Sequence, residues 1–245
     1  MSPTDASTDT GAGPPTPLGA GAEDTLDLRI PDELLALFRE GKPSADCDES
    51  EAAAAGDLLG TPADWGPAAT SAGSLQLVPA HIERDVALIS RWMNDPAVAA
   101  FWELAGPLSV TAAHLRKQLD GDGRSVPCLG VLDGIPMSYF EIYRADLDQL
   151  ARHYPARPHD TGIHLLIGGV ADRGRGVGSA LLRAVADLVL DHRPRCARVI
   201  AEPDLRNTPS VSAFLSAGFR FSAEVDLPDK RAALMVRDRA LRILL

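Results

Sequence analysis

Cysteine is scarce in this chain, and the three cysteines lie far apart. Cys47, Cys128 and Cys196 are odd in number and show none of the close spacings that mark zinc sites or disulfide frameworks. The sequence therefore predicts neither a resident metal nor a disulfide-stapled fold. It fits the reducing conditions of the cytoplasm, where we expect the protein to work.

Long apolar runs and an excess of positive charge are also missing. No stretch approaches the roughly 20 apolar residues that a membrane span needs, and residues 1–25 lack the apolar core of a signal peptide. The formal net charge is −10, which argues against a nucleic-acid binder, because such a protein presents a basic face. We therefore expect neither a membrane nor a nucleic acid as a partner.

The negative charge is concentrated in the first third of the chain. Residues 1–75 hold 14 acidic and 3 basic residues, a net charge of −11, whereas residues 76–245 hold 20 acidic and 21 basic residues, a net charge of +1. The first third of the chain is therefore strongly acidic, whereas the remainder is nearly neutral.

Composition predicts an acidic, low-complexity N-terminal extension over residues 1–73 and a compact domain over residues 74–245. Residues 1–25 consist largely of Gly, Ala, Pro, Ser, Thr and Asp, which offer little to bury and predict disorder. Within the extension, residues 26–39 alternate and then carry an apolar cluster, which indicates a short strand and a short helix.

A glycine-rich turn, Arg173-Gly-Arg-Gly-Val-Gly-Ser-Ala180, is the most informative motif of the predicted domain. It follows an apolar strand-like run, Gly162–Ile167, and opens a helix-periodic segment, Leu181–Leu190. Orphan N–H groups and the positive end of the helix dipole make such a turn an anion site. A tight connection without a ligand is the alternative, and a dinucleotide fingerprint is disfavoured because Ser179 stands where its third glycine belongs.

Apolar periodicity predicts an α/β domain with the element order β-α-α-β-β-β-α-β-α-β-β. This order predicts a central mixed, largely antiparallel, twisted sheet flanked by helices. The predicted strands and helices are a strand at 75–78, helices at 82–94 and 111–119, a hairpin at 126–143 turning at Asp133-Gly134, a strand at 162–167, a helix at 177–190, a strand at 198–201, a helix at 209–217, and strands at 219–225 and 232–236.

Arg173, Gly176 and Gly178 fit the Arg/Gln-x-x-Gly-x-Gly/Ala pattern of the GCN5-related N-acetyltransferases (GNAT), in which this turn holds the pyrophosphate of coenzyme A. The chain resembles the siderophore-biosynthesis branch of that family, with its aerobactin-type N-hydroxylysine acetyltransferases and mycobactin lysine N-acyltransferases. The resemblance implies the GNAT acyltransferase fold. Five further segments carry it in order along the chain: 91–96 with 101–103, 139–143, 160–164, 202–207 and 230–234.

The resemblance implies an N-acyltransferase of hydroxamate siderophore assembly that uses acetyl-coenzyme A or another acyl-coenzyme A and no metal. The expected acceptor is a small molecule, the N-hydroxylated side-chain amine of lysine, ornithine or a diamine, and transient contact with other pathway enzymes is expected. Two alternatives stay open. One is a GNAT enzyme acting on an antibiotic amine or a protein N-terminus, and the other is a non-enzymatic acyl-coenzyme A-binding scaffold for a siderophore synthetase.

His164 and Asp204 are the candidate catalytic residues. In the resembling family a histidine at this Gly-x-His position is the proposed general base, and a neutral imidazole near pH 7 suits proton removal. The resemblance also implies that Asp204 reaches towards the His164 site, where it either orients the imidazole or binds the substrate amine. By residue type alone, His164 can equally be a core histidine and Asp204 an ordinary turn aspartate.

The remaining site residues expected are a cofactor-binding set and an acceptor-pocket set. Trp102, Glu103 and Tyr143 are expected in the acceptor pocket, although aromatic residues also suit a core. Phe214 stands where many family members carry the tyrosine that protonates the leaving thiolate, and phenylalanine has no proton to give. Asn207 is a helix N-cap candidate as well as a coenzyme A contact. The cofactor-binding set is Leu166, Ile167, Arg173, Gly174, Arg175, Gly176, Val177, Gly178, Ser179 and Asn207.

Overall fold

A computed structural model describes residues 59–244 of the chain. The predicted disorder of residues 1–25 and the predicted strand and helix of residues 26–39 lie outside the described residues. None of the helices within residues 59–244 combines the length and apolarity needed to cross a membrane.

The described residues form one eight-stranded sheet with the strand order β1-β2-β3-β4-β5-β6-β8-β7. Neighbouring strands are antiparallel except β5 and β6, which are parallel, so the sheet is mixed and largely antiparallel as expected. The strands are β1 (Ala68–Thr70), β2 (Gly73–Pro79), β3 (Ser125–Leu132), β4 (Ile135–Arg144), β5 (Thr161–Ile167), β6 (Arg198–Ala201), β7 (Arg220–Asp226) and β8 (Arg231–Asp238).

Five α-helices cover the two faces of the sheet. The first three pack on one face with Tyr139 and Leu166, and the last two pack on the other face with Phe140 and Ile163. Successive residues of a strand point to opposite faces, so the side chains of Tyr139, Glu141 and Tyr143 share the first face. The helices are α1 (Ile82–Met93), α2 (Pro96–Trp102), α3 (Leu108–Leu119), α4 (Val177–His192) and α5 (Thr208–Ser216).

Every strand and helix predicted within the described residues is present, including the β3–β4 hairpin. Its turn residues Asp133 and Gly134 have φ of 48° and 81°, the left-handed conformation that a tight hairpin turn requires. Two elements were not predicted. Helix α2 was missed because Pro96 was interpreted as the end of α1, whereas Pro96 is the first residue of α2 and the Asp95 carboxylate caps the Ala97 N–H at 3.0 Å.

The second unpredicted element is β1, which lies in the stretch assigned to the N-terminal extension. β1 pairs antiparallel with β2, and Leu59 and Trp65 are buried in the main core. The compact domain therefore begins before Ser74. A three-residue strand of sequence Ala-Ala-Thr carries no alternation that could have indicated it.

Strands β5 and β6 pair only where they begin. Their ladder joins Thr161 to Val199 and Gly162 to Ile200, and β5 then continues to Ile167 without β6 beside it. The segment after β6 follows β8 instead, with the Ala233 N–H donating to the Pro203 carbonyl at 2.9 Å. The two strands therefore diverge and leave a cleft open between them.

A buried ion pair holds the closed end of this cleft. Asp160, which is fully buried just before β5, accepts hydrogen bonds from Arg198 at the start of β6, with Nε at 3.0 Å and Nη2 at 2.5 Å. The Tyr154 hydroxyl, at 3.1 Å, and the Arg157 N–H, at 2.9 Å, also donate to Asp160. This carboxylate therefore fixes the place where the two parallel strands meet.

We predict that Asp160→Ala lowers the free energy of unfolding by about 3–5 kcal/mol, because it leaves the Arg198 guanidinium buried without its anion. Urea denaturation measures the effect. The matched control is Asp226→Ala, since Asp226 is 89% exposed and pairs with Arg231 at 3.6 Å. That variant should lose no more than about 1 kcal/mol. Equal losses in the two variants would contradict a special role for Asp160.

Candidate active site

The cleft between β5 and β6 holds a cavity of about 250 Å³. Side chains from α2, α3, β4, β5 and α5 line it, together with the segment after β6 and the turn between β7 and β8. Four of the predicted site residues, Trp102, His164, Asp204 and Asn207, line this one cavity, and so does Phe214.

His164 lies between two buried glutamates. Its Nδ1 is 3.0 Å from Oε2 of Glu141, and its Nε2 is 2.5 Å from Oε1 of Glu202. Glu141 is the direct partner of His164 in the β4–β5 ladder, which places both side chains on the same face. The His164 side chain keeps about one third of its surface exposed, 34%, so the imidazole is reachable from the cavity.

The two carboxylates control the charge of His164. Burial alone would lower the pKa of His164, but the charge and hydrogen bond of Glu202, together with those of Glu141, outweigh burial and raise this pKa to about 10. Burial favours a raised pKa for Glu202 as well. The His164 imidazolium, followed by Lys230 and the Tyr143 hydroxyl, outweighs burial and lowers the pKa of Glu202 to about 2.

At neutral pH the resting unit is therefore an imidazolium between two carboxylates, and not the neutral imidazole that an unperturbed histidine would supply. Nε2 of His164 and Oε1 of Glu202 are 2.5 Å apart, so the protonation states of these two groups are coupled. The two groups act on protons as one unit.

The second carboxylate oxygen of Glu141 is hydrogen-bonded as well. Oε1 of Glu141 lies 2.5 Å from Nε2 of His114, 2.7 Å from Nε2 of Gln118 and 3.0 Å from the Tyr139 hydroxyl. Burial favours a raised pKa for Glu141. The hydrogen bonds from His114 and His164 outweigh burial and hold this pKa well below its usual range. The Glu141 carboxylate is thus a fixed anion.

Tyr143 supports Glu202 from behind. Its hydroxyl donates to Oε2 of Glu202 at 2.7 Å, and its ring centroid lies 4.8 Å from that of His164. Burial, followed by the charge of Glu202, raises the pKa of Tyr143 well above its usual value, so the phenol stays a donor. Tyr143, expected in the acceptor pocket, lines a second cavity of about 290 Å³, which His164 and Glu141 line as well.

Trp102 and Glu103 end helix α2 but lie in different environments. Trp102 lines the cavity and meets the His164 ring edge-on, with centroids 6.0 Å apart. Glu103 is the C-cap of α2 with a left-handed φ of 54°, and it is exposed. Of these two residues expected in the acceptor pocket, Trp102 lines the cavity and Glu103 does not.

Asp204 lines the cavity but binds its neighbour Arg206. Its Oδ1 accepts the Arg206 N–H at 2.7 Å, and its Oδ2 accepts Nη2 of Arg206 at 2.6 Å. Both nitrogens of His164 are already occupied by Glu141 and Glu202. Asp204 therefore does not hydrogen-bond the imidazole, and contact with the substrate stays a prediction for it.

The glycine-rich turn presents an open backbone surface at the start of α4. Gly174 and Gly176 have φ of 71° and 78°, and a Cβ at either position would meet no atom within 4 Å. The first ladder bond of α4 runs from the Ala180 N–H to the Gly176 carbonyl at 3.1 Å. The N–H groups of residues 177–179 precede it, and such groups suit the anionic oxygens of a phosphate.

The two arginines of the turn differ in their surroundings. Arg173 braces the turn, because its Nε donates to the Ile167 carbonyl at 3.0 Å and its Nη1 to Oδ1 of Asp95 at 2.7 Å. Arg175 is exposed and is therefore the better placed of the two to reach a ligand. At α5, Asn207 is confirmed as an N-cap, accepting the Ser210 N–H at 3.2 Å. Within residues 59–244, no cluster of His, Cys, Asp and Glu is arranged to hold a metal.

Residues 81–227 match the acetyltransferase (GNAT) domain family, which is more than half of the chain. The chain belongs to the GNAT acetyltransferase family. It is 39% identical over 155 residues to an N(6)-hydroxylysine O-acetyltransferase of Escherichia coli, covering 63% of this chain and 49% of that protein. It is 38% identical over 154 residues to the lysine N-acyltransferase MbtK of Mycolicibacterium paratuberculosis, covering 63% and 69%.

Two solved structures share the fold of this chain. An uncharacterized protein from Bacillus halodurans superposes with a TM-score of 0.67 at 33% identity, covering 71% of this chain and 90% of that one. The acetyltransferase AAC(6')-Ib in complex with ribostamycin and coenzyme A gives 0.61 at 25% identity, covering 68% and 94%. The chain spans about half the length of the Escherichia coli relative.

We predict that the ring resonances of His164 stay those of an imidazolium from pH 6 to pH 8, because its pKa is raised to about 10. Glu202→Gln should lower this pKa, since one anion is lost while the burial remains. An NMR titration of ring-labelled histidine measures it, with Asp204→Asn, which does not contact His164, as the control. A midpoint below 7 in the unmodified protein would show that the carboxylates do not govern the imidazole.

The raised pKa of His164 also makes the stability of the folded protein depend on pH. The pKa of His164 is higher in the folded protein, about 10, than the ordinary value of 6.5. The contribution of His164 to stability is therefore fully present below pH 6.5 and is lost as the pH rises through about 10.

Proposed function

We propose that the chain is an acyl-coenzyme A-dependent N-acyltransferase that acylates an N-hydroxylated side-chain amine of lysine, ornithine or a diamine during hydroxamate siderophore assembly. The observation that carries the proposal is the Glu141–His164–Glu202 unit in the β5–β6 cleft, beside the phosphate-suited turn. The Escherichia coli relative is named for hydroxylysine, which favours a hydroxylated acceptor.

The acyl donor is acetyl-coenzyme A or another acyl-coenzyme A. The N–H groups of residues 177–179 and the exposed Arg175 would hold its pyrophosphate. Leu166 and Ile167 at the end of β5, with Asn207 across the cleft, would flank the arm that carries the thioester. The AAC(6')-Ib structure contains coenzyme A on the same fold, which supports this choice of donor.

The acceptor nitrogen would attack the thioester carbonyl directly. Beyond Gly162 the ladder to β6 has ended while the ladder to β4 continues, so the β5 N–H groups that face away from β4 would stabilise the oxyanion. The proton leaves the nitrogen for the Glu202–His164 pair, the C–S bond breaks, and the same pair returns a proton to the thiolate. Phe214 lines the cavity but has no proton to donate, so we assign both steps to the pair.

A hydroxylated nitrogen suits a site whose histidine is already protonated. Such a nitrogen is much less basic than an alkyl amine and is uncharged near neutral pH, so attack requires no prior deprotonation. Asp204 would contact the acceptor from the cavity wall. Cys128 and Cys196 are buried free thiols, in keeping with work in the cytoplasm next to the pathway enzymes that supply the hydroxylated amine and use the hydroxamate.

We predict that the protein releases one thiol for each hydroxamate formed when it is given acetyl-coenzyme A and N6-hydroxylysine, N5-hydroxyornithine or N-hydroxycadaverine. Thiol is measured with a chromogenic disulfide and hydroxamate by its coloured ferric complex, which an O-acyl product does not form. Absence of thiol release with every acceptor would contradict the enzyme assignment. Thiol release without the ferric colour would assign the acyl group to oxygen, and equal rates with the parent amines would make them the acceptors.

We predict that two variants separate donor binding from chemistry. Gly176→Asp places an anion at the turn and should abolish calorimetric binding of acetyl-coenzyme A, whereas Gly176→Asn, of equal size and tolerant of a positive φ, should retain most of it. His164→Gln should bind the donor normally but turn over about 10²–10⁴-fold more slowly. Normal binding by Gly176→Asp, or normal turnover by His164→Gln, would remove that residue from its proposed role.

A further inference from the structure

Lys230 lies beside the Glu141–His164–Glu202 unit, but the proposed reaction gives it no task. It lies in the turn between β7 and β8, lines the same cavity as His164, and its side chain is 23% exposed. Its Nζ lies 3.6 Å from Oε1 of Glu202, the oxygen that also meets Nε2 of His164. An ammonium thus stands beside the oxygen that is to receive the acceptor's proton.

The central charges of this cluster cancel. The two anions are the carboxylates of Glu141 and Glu202, and the two cations are the His164 imidazolium and the Lys230 ammonium. Both carboxylates are almost fully buried, at 9% and 7% side-chain exposure. Adding a neutral acceptor keeps these four groups neutral, whereas adding an ammonium leaves one unpaired cation in a poorly solvated place, which is costly.

The other charged groups that face the cavity offer an ammonium little compensation. Asp204 is bound to Arg206 at 2.6 Å, and His114 is held against Glu141. Asp229 also lines the cavity but is exposed, and an ion pair at an exposed carboxylate contributes little. No free buried anion is therefore left on this wall for a protonated amine.

We propose that Lys230 is a specificity-determining residue, whose ammonium fills the cation position beside Glu202 and so excludes protonated amines, reserving the site for uncharged N-hydroxylamines. This inference rests on the proposed function and deepens it, because it names the charge state of the acceptor. Without Lys230 the cluster carries one net negative charge, and an ammonium substrate would restore neutrality.

The test compares N6-hydroxylysine with lysine, which differ only in the hydroxyl and the nitrogen charge it controls. We expect Lys230→Met to lower the ratio of kcat/KM for N6-hydroxylysine to that for lysine by at least about tenfold, because a like charge a few ångströms away is removed. Lys230→Arg retains the cation and should retain the preference. Calorimetric binding of lysine in the presence of coenzyme A should strengthen in Lys230→Met, a readout that needs no turnover.

The matched control is Arg231→Met, at the next residue, where β8 begins. Arg231 is 66% exposed and pairs with Glu224 and Asp226 outside the cavity, so this variant changes the net charge equally and should leave the ratio unchanged. An equal shift in Arg231→Met would show a general charge effect and overturn the inference.

Other outcomes also decide the question. An unchanged ratio and unchanged lysine binding in Lys230→Met, or unmodified protein that uses lysine as well as N6-hydroxylysine, would each overturn the role of Lys230. If Lys230→Met does not fold, Lys230→Gln removes the same charge with a polar side chain, and the same expectations apply. Failure of the proposed function is distinct, because the unmodified protein would then release thiol with neither acceptor.

Discussion

The carboxylates of Glu141 on β4 and of Glu202 just after β6 would repel each other in this cleft if the imidazolium of His164 did not lie between them. The backbone ladder between β5 and β6 ends after Gly162 and Ile200, and the contacts of His164 with Glu141 and Glu202 continue the connection across the gap. One side chain therefore joins β4, β5 and the segment after β6. The same charge that closes this gap also makes the site chemically active.

Two ion pairs hold the two ends of β5 in the cleft. At the closed end, Asp160 holds Arg198 and thereby the first residues of the two strands. At the open end, Arg173 ties the end of β5 to Asp95 at the start of α2. Between these two ion pairs the strands are free to diverge, so a thioester and an acceptor nitrogen can meet beside His164.

Much of this arrangement could be predicted from the sequence, because local signals define it. The Asp133-Gly134 turn, the glycine-rich turn before α4 and the N-cap at Asn207 each depend on nearby residues. Glu141 and Glu202 were missed because their meeting with His164 depends on strand register and on the divergence of β5 and β6. The alternation of Tyr139, Glu141 and Tyr143 along β4 could have indicated that Glu141 shares a face with the two tyrosines. No local pattern marks Lys230 as a neighbour of the two glutamates.

The order of the cluster along the chain links activity to the completion of folding. Glu141 and His164 precede Glu202, and Lys230 belongs to the last hairpin of the sheet. A nascent chain that has emerged only as far as α4 therefore holds the histidine without one of its two carboxylates. A chain that ends before β6 would therefore lack both Glu202 and Lys230, two of the four charged groups at the centre of the cluster.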